Sequence, residues 1–233
     1  MIFGNYFRIA AFLLFTAVAC PQVSSQPRLF VGPNEPLGRG VGIHPGRVAW
    51  IHSPGVASWD GETGLWVEDR WNDQAKADAM VREALVQLTG EKSAKKAWQA
   101  LFSNFNKTRG RGAHGYREGE KIAIKLNMNN ATGHRDTIEL NSSPFVTLAL
   151  LRSLVGDAGV RPSDITVCEP SRAITDSIYD KCHREFPGVA FVDNIGGDGR
   201  VKCEYYSDRI RYSADNGRLA RGLAKCIVDA DYL

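Results

Sequence analysis

The chain has 233 residues, of which 43% are hydrophobic and 24% charged, and it carries a formal net charge of +3. That balance excludes a disordered or fibrous chain. The small net charge, with basic residues scattered apart from Lys107-Thr-Arg-Gly-Arg111, gives no electrostatic footprint for nucleic acid, and no nucleic-acid partner is expected.

Residues 1–25 read as a secretory signal peptide. Arg8 supplies the positive region, and Ile9 to Ala19 is an apolar run too short to span a bilayer comfortably. Ala17-Val18-Ala19 offers a small-residue cleavage site. Because Cys20 follows at once, Ala17-Val-Ala-Cys20 also resembles a bacterial lipobox, although Ala17 replaces the usual leucine-like residue. Plain secretion and lipid anchoring at Cys20 are the main outcomes, with a retained membrane anchor as the third; for a processed chain the lipid at Cys20 would be the one link to a membrane. Removing the signal leaves roughly 205–215 residues, enough for one domain with a sizeable core.

Residues 26–45 are rich in Pro and Gly and read as a linker, leaving 46–233 as the folded domain. Arg47–Ser53 is the first expected strand, stopped by Pro54-Gly55. Ser58–Trp71 is a long loop bearing Trp59, Trp66 and Trp71, which either stack on a glycan or protein partner or fold down as a cap. Asn72 is placed to cap a helix running to Gly90, with Met80, Val81, Ala84, Leu85 and Leu88 on one face. Ser93 caps a second helix, whose stripe runs from Ala94 to Phe105. Lys121–Leu126 follows as the central strand, then a polar loop from Asn130 to Asn141.

Ser143 caps the next helix with Pro144 at its first position, and its residues are apolar nearly all round up to Gly159. Ile165–Cys168 is a strand ending in Glu169-Pro-Ser-Arg172. A helix with Ile174, Ile178, Tyr179, Cys182 and Phe186 facing inward follows, stopped by Pro187-Gly188. Val189–Val192 is another buried strand, ending in Asp193-Asn194 and the turn Gly196–Gly199. Val201–Tyr206 and Arg209–Ser213 alternate like a hairpin, Asn216 is placed to cap a short helix through Lys225, and Cys226–Leu233 starts like a strand. The expected fold is α/β: three layers, a mostly parallel sheet with flanking helices, incomplete at the C-terminus because the chain stops within that last strand.

Strand, helix, strand, helix, strand in that order implies right-handed crossovers, so the three carboxyl ends share one edge of the sheet. Ligands of such sheets bind beyond that edge. It collects Lys125, Asn127 and Asn129 from the first strand, Glu169, Ser171 and Arg172 from the second, and Asp193 and Asn194 from the third. Lys125 and Arg172 suit a small polar or anionic ligand, helped by the amino end of the helix after Ser171. Glu169 would act as a base or metal ligand. The competing structural reading makes Lys125 and Glu169 an ion pair that ties two strands together. No nucleophile elbow, phosphate-binding loop or dinucleotide fingerprint is present, so no reaction and no cofactor can be named. The five histidines lack metal-ligand spacing, and no metal site is expected. Four cysteines besides Cys20 (Cys168, Cys182, Cys203 and Cys226) permit two disulfides or buried free thiols.

Gly119-Glu-Lys-Ile-Ala-Ile-Lys-Leu-Asn-Met-Asn129, Ser143-Pro-Phe-Val146, Asp164–Arg172 and Asp229-Ala-Asp-Tyr-Leu233 together resemble the bacterial family called domain of unknown function 362, over about residues 38–233. The resemblance implies an exported α/β domain with no settled activity. Members usually continue into another lysine- and histidine-bearing segment, which implies a truncated copy here. Some carry an iron–sulfur module, for which this chain has no Cys-x-x-Cys pair. The expected function is binding of a small polar or anionic ligand at the strand edge, with or without catalysis. The alternative is a non-catalytic surface protein that uses its Trp-rich loop.

Overall fold

The computed structural model describes residues 38, 40–129, 141–211, 218 and 220–233. The chain divides into two compact units, Met1–Arg39 and Gly40–Leu233. The signal segment, Cys20, Asn130, His134 and Asn216 lie outside the described residues. Every described helix and strand belongs to the second unit.

Four parallel strands, β1 (Ile122–Lys125), β2 (Ile165–Glu169), β3 (Ala190–Asp193) and β4 (Val201–Lys202), lie side by side in that order. They carry an α/β fold with flanking helices: α1 (Gln74–Thr89), α2 (Ala94–Thr108), α3 (Pro144–Arg152) and α4 (Asp176–Glu185). A π-helical turn, Ser153–Asp157, extends α3. Both crossovers, through α3 and α4, step in the same direction across the sheet, so right-handedness puts these two helices on one face. Val167 and Phe191 meet Leu151, Leu154, Ile178 and Cys182 there in the main core. A four-residue helix, α5 (Lys225–Val228), packs against β1, and a two-stranded ribbon of β5 (Ile210–Arg211) and β6 (Ala220–Arg221) completes the described elements.

The caps show why these segments are helices. Ser93 accepts from Lys96 N, and Ser143 accepts from Phe145 N and Val146 N with Pro144 in the first turn. In α1 the cap is Asp73 rather than the expected Asn72. The Asn72 amide instead donates to the carbonyls of Trp66 and Glu68, at 2.7 and 3.0 Å, and closes the tryptophan loop. The helix that reads as apolar all round is mostly buried, with Leu150 and Arg152 half-buried and Val146 54% exposed.

Four expectations fail. Arg47–Ser53 is an irregular, largely exposed segment, not a strand. Arg47 donates to Leu88 O at 3.5 Å, and just before the segment a His44 ring nitrogen lies 2.9 Å from Thr89 O, while the outer edge of β1 pairs with Tyr232 instead. The expected hairpin does not form: Val201–Lys202 extends the main sheet, Tyr205 bridges Ala224, and Ile210–Arg211 pairs with Ala220–Arg221. Alternation marks a strand but not its partner. The expected helix through Lys225 is extended at Ala220–Arg221, and the expected strand from Cys226 begins as α5. Tyr232 makes the one bridge of that segment to Ile122, and its ring packs edge-on to Phe102 at 4.7 Å.

The amino ends of β1 and β2 are clamped by Asp164, which is 1% exposed. Its carboxylate accepts from Lys121 Nζ (2.7 Å), Tyr116 OH (2.5 Å), Gly119 N (2.9 Å) and Arg161 Nε (3.0 Å). Gly119 reaches it with φ +95°, a conformation that side-chain-bearing residues rarely adopt. Burial opposes ionisation, but these donors together hold the Asp164 carboxyl well below the usual carboxylate range. Asp164→Asn should lower unfolding free energy by roughly 2–3 kcal/mol, the scale of hydrogen bonds to a buried charge. Arg161→Ala, which removes a half-exposed partner, should cost under about 1 kcal/mol. Urea midpoints of the two variants check the contrast.

Candidate functional site

Parallel pairing puts the carboxyl ends of β1, β2 and β3 on one rim, with Glu169 directly opposite Asp193 and Lys125 opposite Cys168. Glu169 is 1% exposed. Its carboxylate accepts from Lys125 Nζ at 2.7 Å, Met128 N at 3.2 Å, Ser171 N at 3.0 Å and Ser171 Oγ at 2.8 Å. Burial works to raise its pKa, but the bonds from Lys125, Ser171 and Met128 outweigh it and hold the carboxyl below its ordinary value. The ammonium of Lys125 also donates to Leu126 O.

Asp193 is the counterpart on β3. It is fully buried and accepts from Ile174 N at 3.1 Å, Ile195 N at 3.0 Å and Gly196 N at 2.7 Å. Both carboxylates therefore serve the backbone. The structural reading of the Lys125–Glu169 pair is what the geometry shows, and Glu169 as a base or metal ligand has no support, because its oxygens are already engaged. Among the described residues no group of three or more His, Cys, Asp or Glu is arranged to hold a metal ion.

The remaining candidates face outward. Lys125, Asn127, Asn129, Ser171 and Arg172 are exposed, and they line the rim above the two buried acids. Asn127 accepts from Ser142 N through its carbonyl at 3.1 Å, and Asn129 N donates to Asn141 Oδ1 at 2.7 Å. Arg172 donates to Ser171 O at 3.2 Å, and its own carbonyl accepts from Asn194 N. The expected helix amino terminus is displaced, since α4 starts at Asp176 with Thr175 as its cap residue, not directly after Ser171. His114 is turned away from the rim, toward Asn106 and Gly115 O.

The tryptophan loop does not present a common aromatic face. Trp59 is 39% exposed and donates to Thr63 O, whereas the indole nitrogens of Trp66 and Trp71 are buried. Asp60 turns the loop by accepting from Glu62 N and Thr63 N, which pulls its pKa down to about 2.

No sequence pattern announces the open apolar groove of about 920 Å³ that runs beside the edge strand β1, lined by Trp98, Leu101, Phe105, Ile124 and Leu150, with Lys125 among its lining residues. Its wall residues read as ordinary core stripes, and a groove forms because, among the described residues, Tyr232 alone bridges the edge of β1.

Because the folded-state pKa of Glu169 is depressed, its contribution to stability is complete above the unfolded value of about 4.3 and is lost as pH falls through the folded value. Glu169→Gln should therefore lose roughly 1–3 kcal/mol at pH 7. It should also show a shallower loss of stability below about pH 4 than the unsubstituted protein, with Asp164 supplying what remains. Urea unfolding of both proteins across pH 2.5–7 measures the difference.

Comparison with protein-family models, with curated proteins and with solved structures gave no match for this chain.

Proposed function

We propose that this is an exported α/β domain that binds a small anionic ligand on the polar rim at the carboxyl ends of β1, β2 and β3. The observation that carries this reading is the division of labour at that rim. Glu169 and Asp193 are buried and consumed in holding the backbone, while Lys125, Asn127, Ser171 and Arg172 stay exposed above them. The charge of Lys125 is balanced by Glu169, so Arg172 supplies the rim's cationic character, in a planar fork suited to an oxyanion. Both buried carboxylates at that rim are already hydrogen-bonded, which favours binding over catalysis by the described residues. The resemblance to domain of unknown function 362 supports the same architecture and address. The rival reading of a tryptophan-loop surface protein is weakened by the burial of two of its three indole nitrogens.

Inorganic phosphate serves as the probe, against chloride at matched ionic strength. Phosphate should raise the melting temperature of the unsubstituted protein, and Arg172→Ala should weaken that stabilisation at least tenfold in apparent affinity. The unliganded variant should unfold within about 0.5 kcal/mol of the original, since an exposed side chain is replaced. Equal stabilisation of both proteins, or of neither, would remove the rim as the anion site.

The address has its own check. Expressed full-length in a bacterial host, the chain should lose its amino-terminal segment, ending either at Cys20 with a bound diacylglyceryl group or just after Ala19 without one. Intact mass separates the two products, and an unprocessed chain would overturn export.

A further inference from the structure

The four described cysteines are free thiols, and three of them converge. Cys168 lies in β2 opposite Lys125. Cys203 follows the short edge strand β4, where its N–H donates to Asp193 O at 2.7 Å. Cys226 enters from α5, which is drawn to the same place by Lys225 N donating to Glu204 O at 2.9 Å and by the Tyr205–Ala224 bridge. The antiparallel Tyr205–Ala224 bridge sets Cys203 opposite Cys226, the Cys203 thiol donates to Glu204 O at 3.4 Å, and Cys168 and Cys203 both act on the Cys226 sulfur as neighbours. The fourth, Cys182, stands apart in the core beneath α4, with Lys181, Glu185 and Arg152 as its charged neighbours.

The three sulfurs are unequal. Cys168 and Cys203 are buried, whereas Cys226 is only partly covered. The neighbouring Cys168 thiol, reinforced by that of Cys203, lowers the pKa of Cys226 against the opposing effect of burial. The Cys168 thiol is raised by the neighbouring Cys226 and by burial, and the Cys203 thiol chiefly by burial. One accessible sulfur that is readily ionised, backed by two protonated ones, is the arrangement thiol–disulfide exchange requires.

We propose that Cys226, Cys203 and Cys168 form a thiol–disulfide exchange site, with Cys226 as the attacking sulfur and Cys203 as the resolving one, acting on a small-molecule or peptide disulfide. The Cys226 thiolate attacks one sulfur of R–S–S–R; that bond breaks, and one RS⁻ leaves. Cys203 gives up its proton and attacks the Cys226 sulfur of the mixed disulfide, forming the Cys203–Cys226 bond and expelling the second RS⁻. The two protein thiols lose two electrons, R–S–S–R gains them, and the two cysteine protons end on two RSH. Closing a disulfide requires the sulfurs to approach to about 2.05 Å. Cys203 at the sheet edge and Cys226 in a four-residue helix can move to do so. Cys168 sits in a strand paired on both sides, so it remains as the neighbour that positions the Cys226 thiolate. The proposal does not depend on anion binding at the rim.

Folded full-length protein carrying Cys20→Ser is treated with glutathione disulfide and followed by intact mass and peptide mapping. The expected product is a Cys203–Cys226 disulfide with two glutathiones released per chain. Cys203→Ser should stop with one glutathione on Cys226, and Cys226→Ser should leave Cys203 reduced. Cys168→Ala should still form the disulfide but move the pH profile of Cys226 alkylation by iodoacetamide upward, slowing it several-fold at pH 7. Without any substitution of the cluster, Cys226 should alkylate at least tenfold faster than Cys182. Three results would overturn the proposal: a Cys226 in the folded protein no more reactive than Cys182, an unchanged reaction at Cys203 in Cys226→Ser, or a Cys168–Cys226 disulfide formed at the original rate in Cys203→Ser.

Discussion

A single desolvated carboxylate, that of Glu169, dictates how the chain leaves the sheet. It stands at the end of a strand buried on both faces, where a bare charge would cost several kcal/mol. It stays ionised because donors from separate stretches converge on it: Lys125 at the end of β1, Met128 N beyond it, and Ser171 just after β2. Satisfying this one group fixes the course of two strand exits at once. Asp193 repeats the device on β3 through the N–H groups of Ile174, Ile195 and Gly196. The turns on this rim are therefore organised from below, and the exposed polar side chains lie above the two buried acids.

The opposite end of the sheet solves a similar problem with a different result. Asp164 also gathers a lysine, an arginine, a tyrosine hydroxyl and a glycine N–H, so β1 and β2 are pinned at both ends by buried acids. Around Asp164 the polar side chains point inward to one carboxylate and form a structural knot. At the Glu169 end the acid is served equally by side chains and by backbone N–H groups, and Asn127 and Arg172 remain exposed. Cys168, Cys203 and Cys226 occupy a third environment, beside α5, where the neighbouring sulfurs act on one another.

Much of the architecture is legible in the order of residues. Ser93 and Ser143-Pro144 signal helix starts by a mechanism, a side-chain oxygen for orphan N–H groups and a proline where no donor is needed, and both caps form. Short apolar runs ending in polar residues mark β1, β2 and β3 and their common direction. Pattern without partner misleads. Arg47–Ser53 and Val201–Arg211 have strand-like composition, yet the first finds no ladder and the second is divided between the main sheet and a separate ribbon. Cys226–Leu233 reads as a strand because alternation over so few residues cannot be told from one helical turn plus a bridge.

The sequence by itself determined the α/β class, the common direction of the three parallel strands and the set of polar residues that end them, because these follow from local periodicity and from the handedness of crossovers. Only the tertiary structure decided which of those residues are spent internally and which face solvent. Burial and hydrogen-bond satisfaction depend on segments far apart in the chain: Lys125 and Ser171 reach Glu169 from two different strand ends. The meeting of Cys168, Cys203 and Cys226 is of the same kind, since no spacing in the sequence announces it and only the packing of α5 against the sheet brings the three sulfurs together.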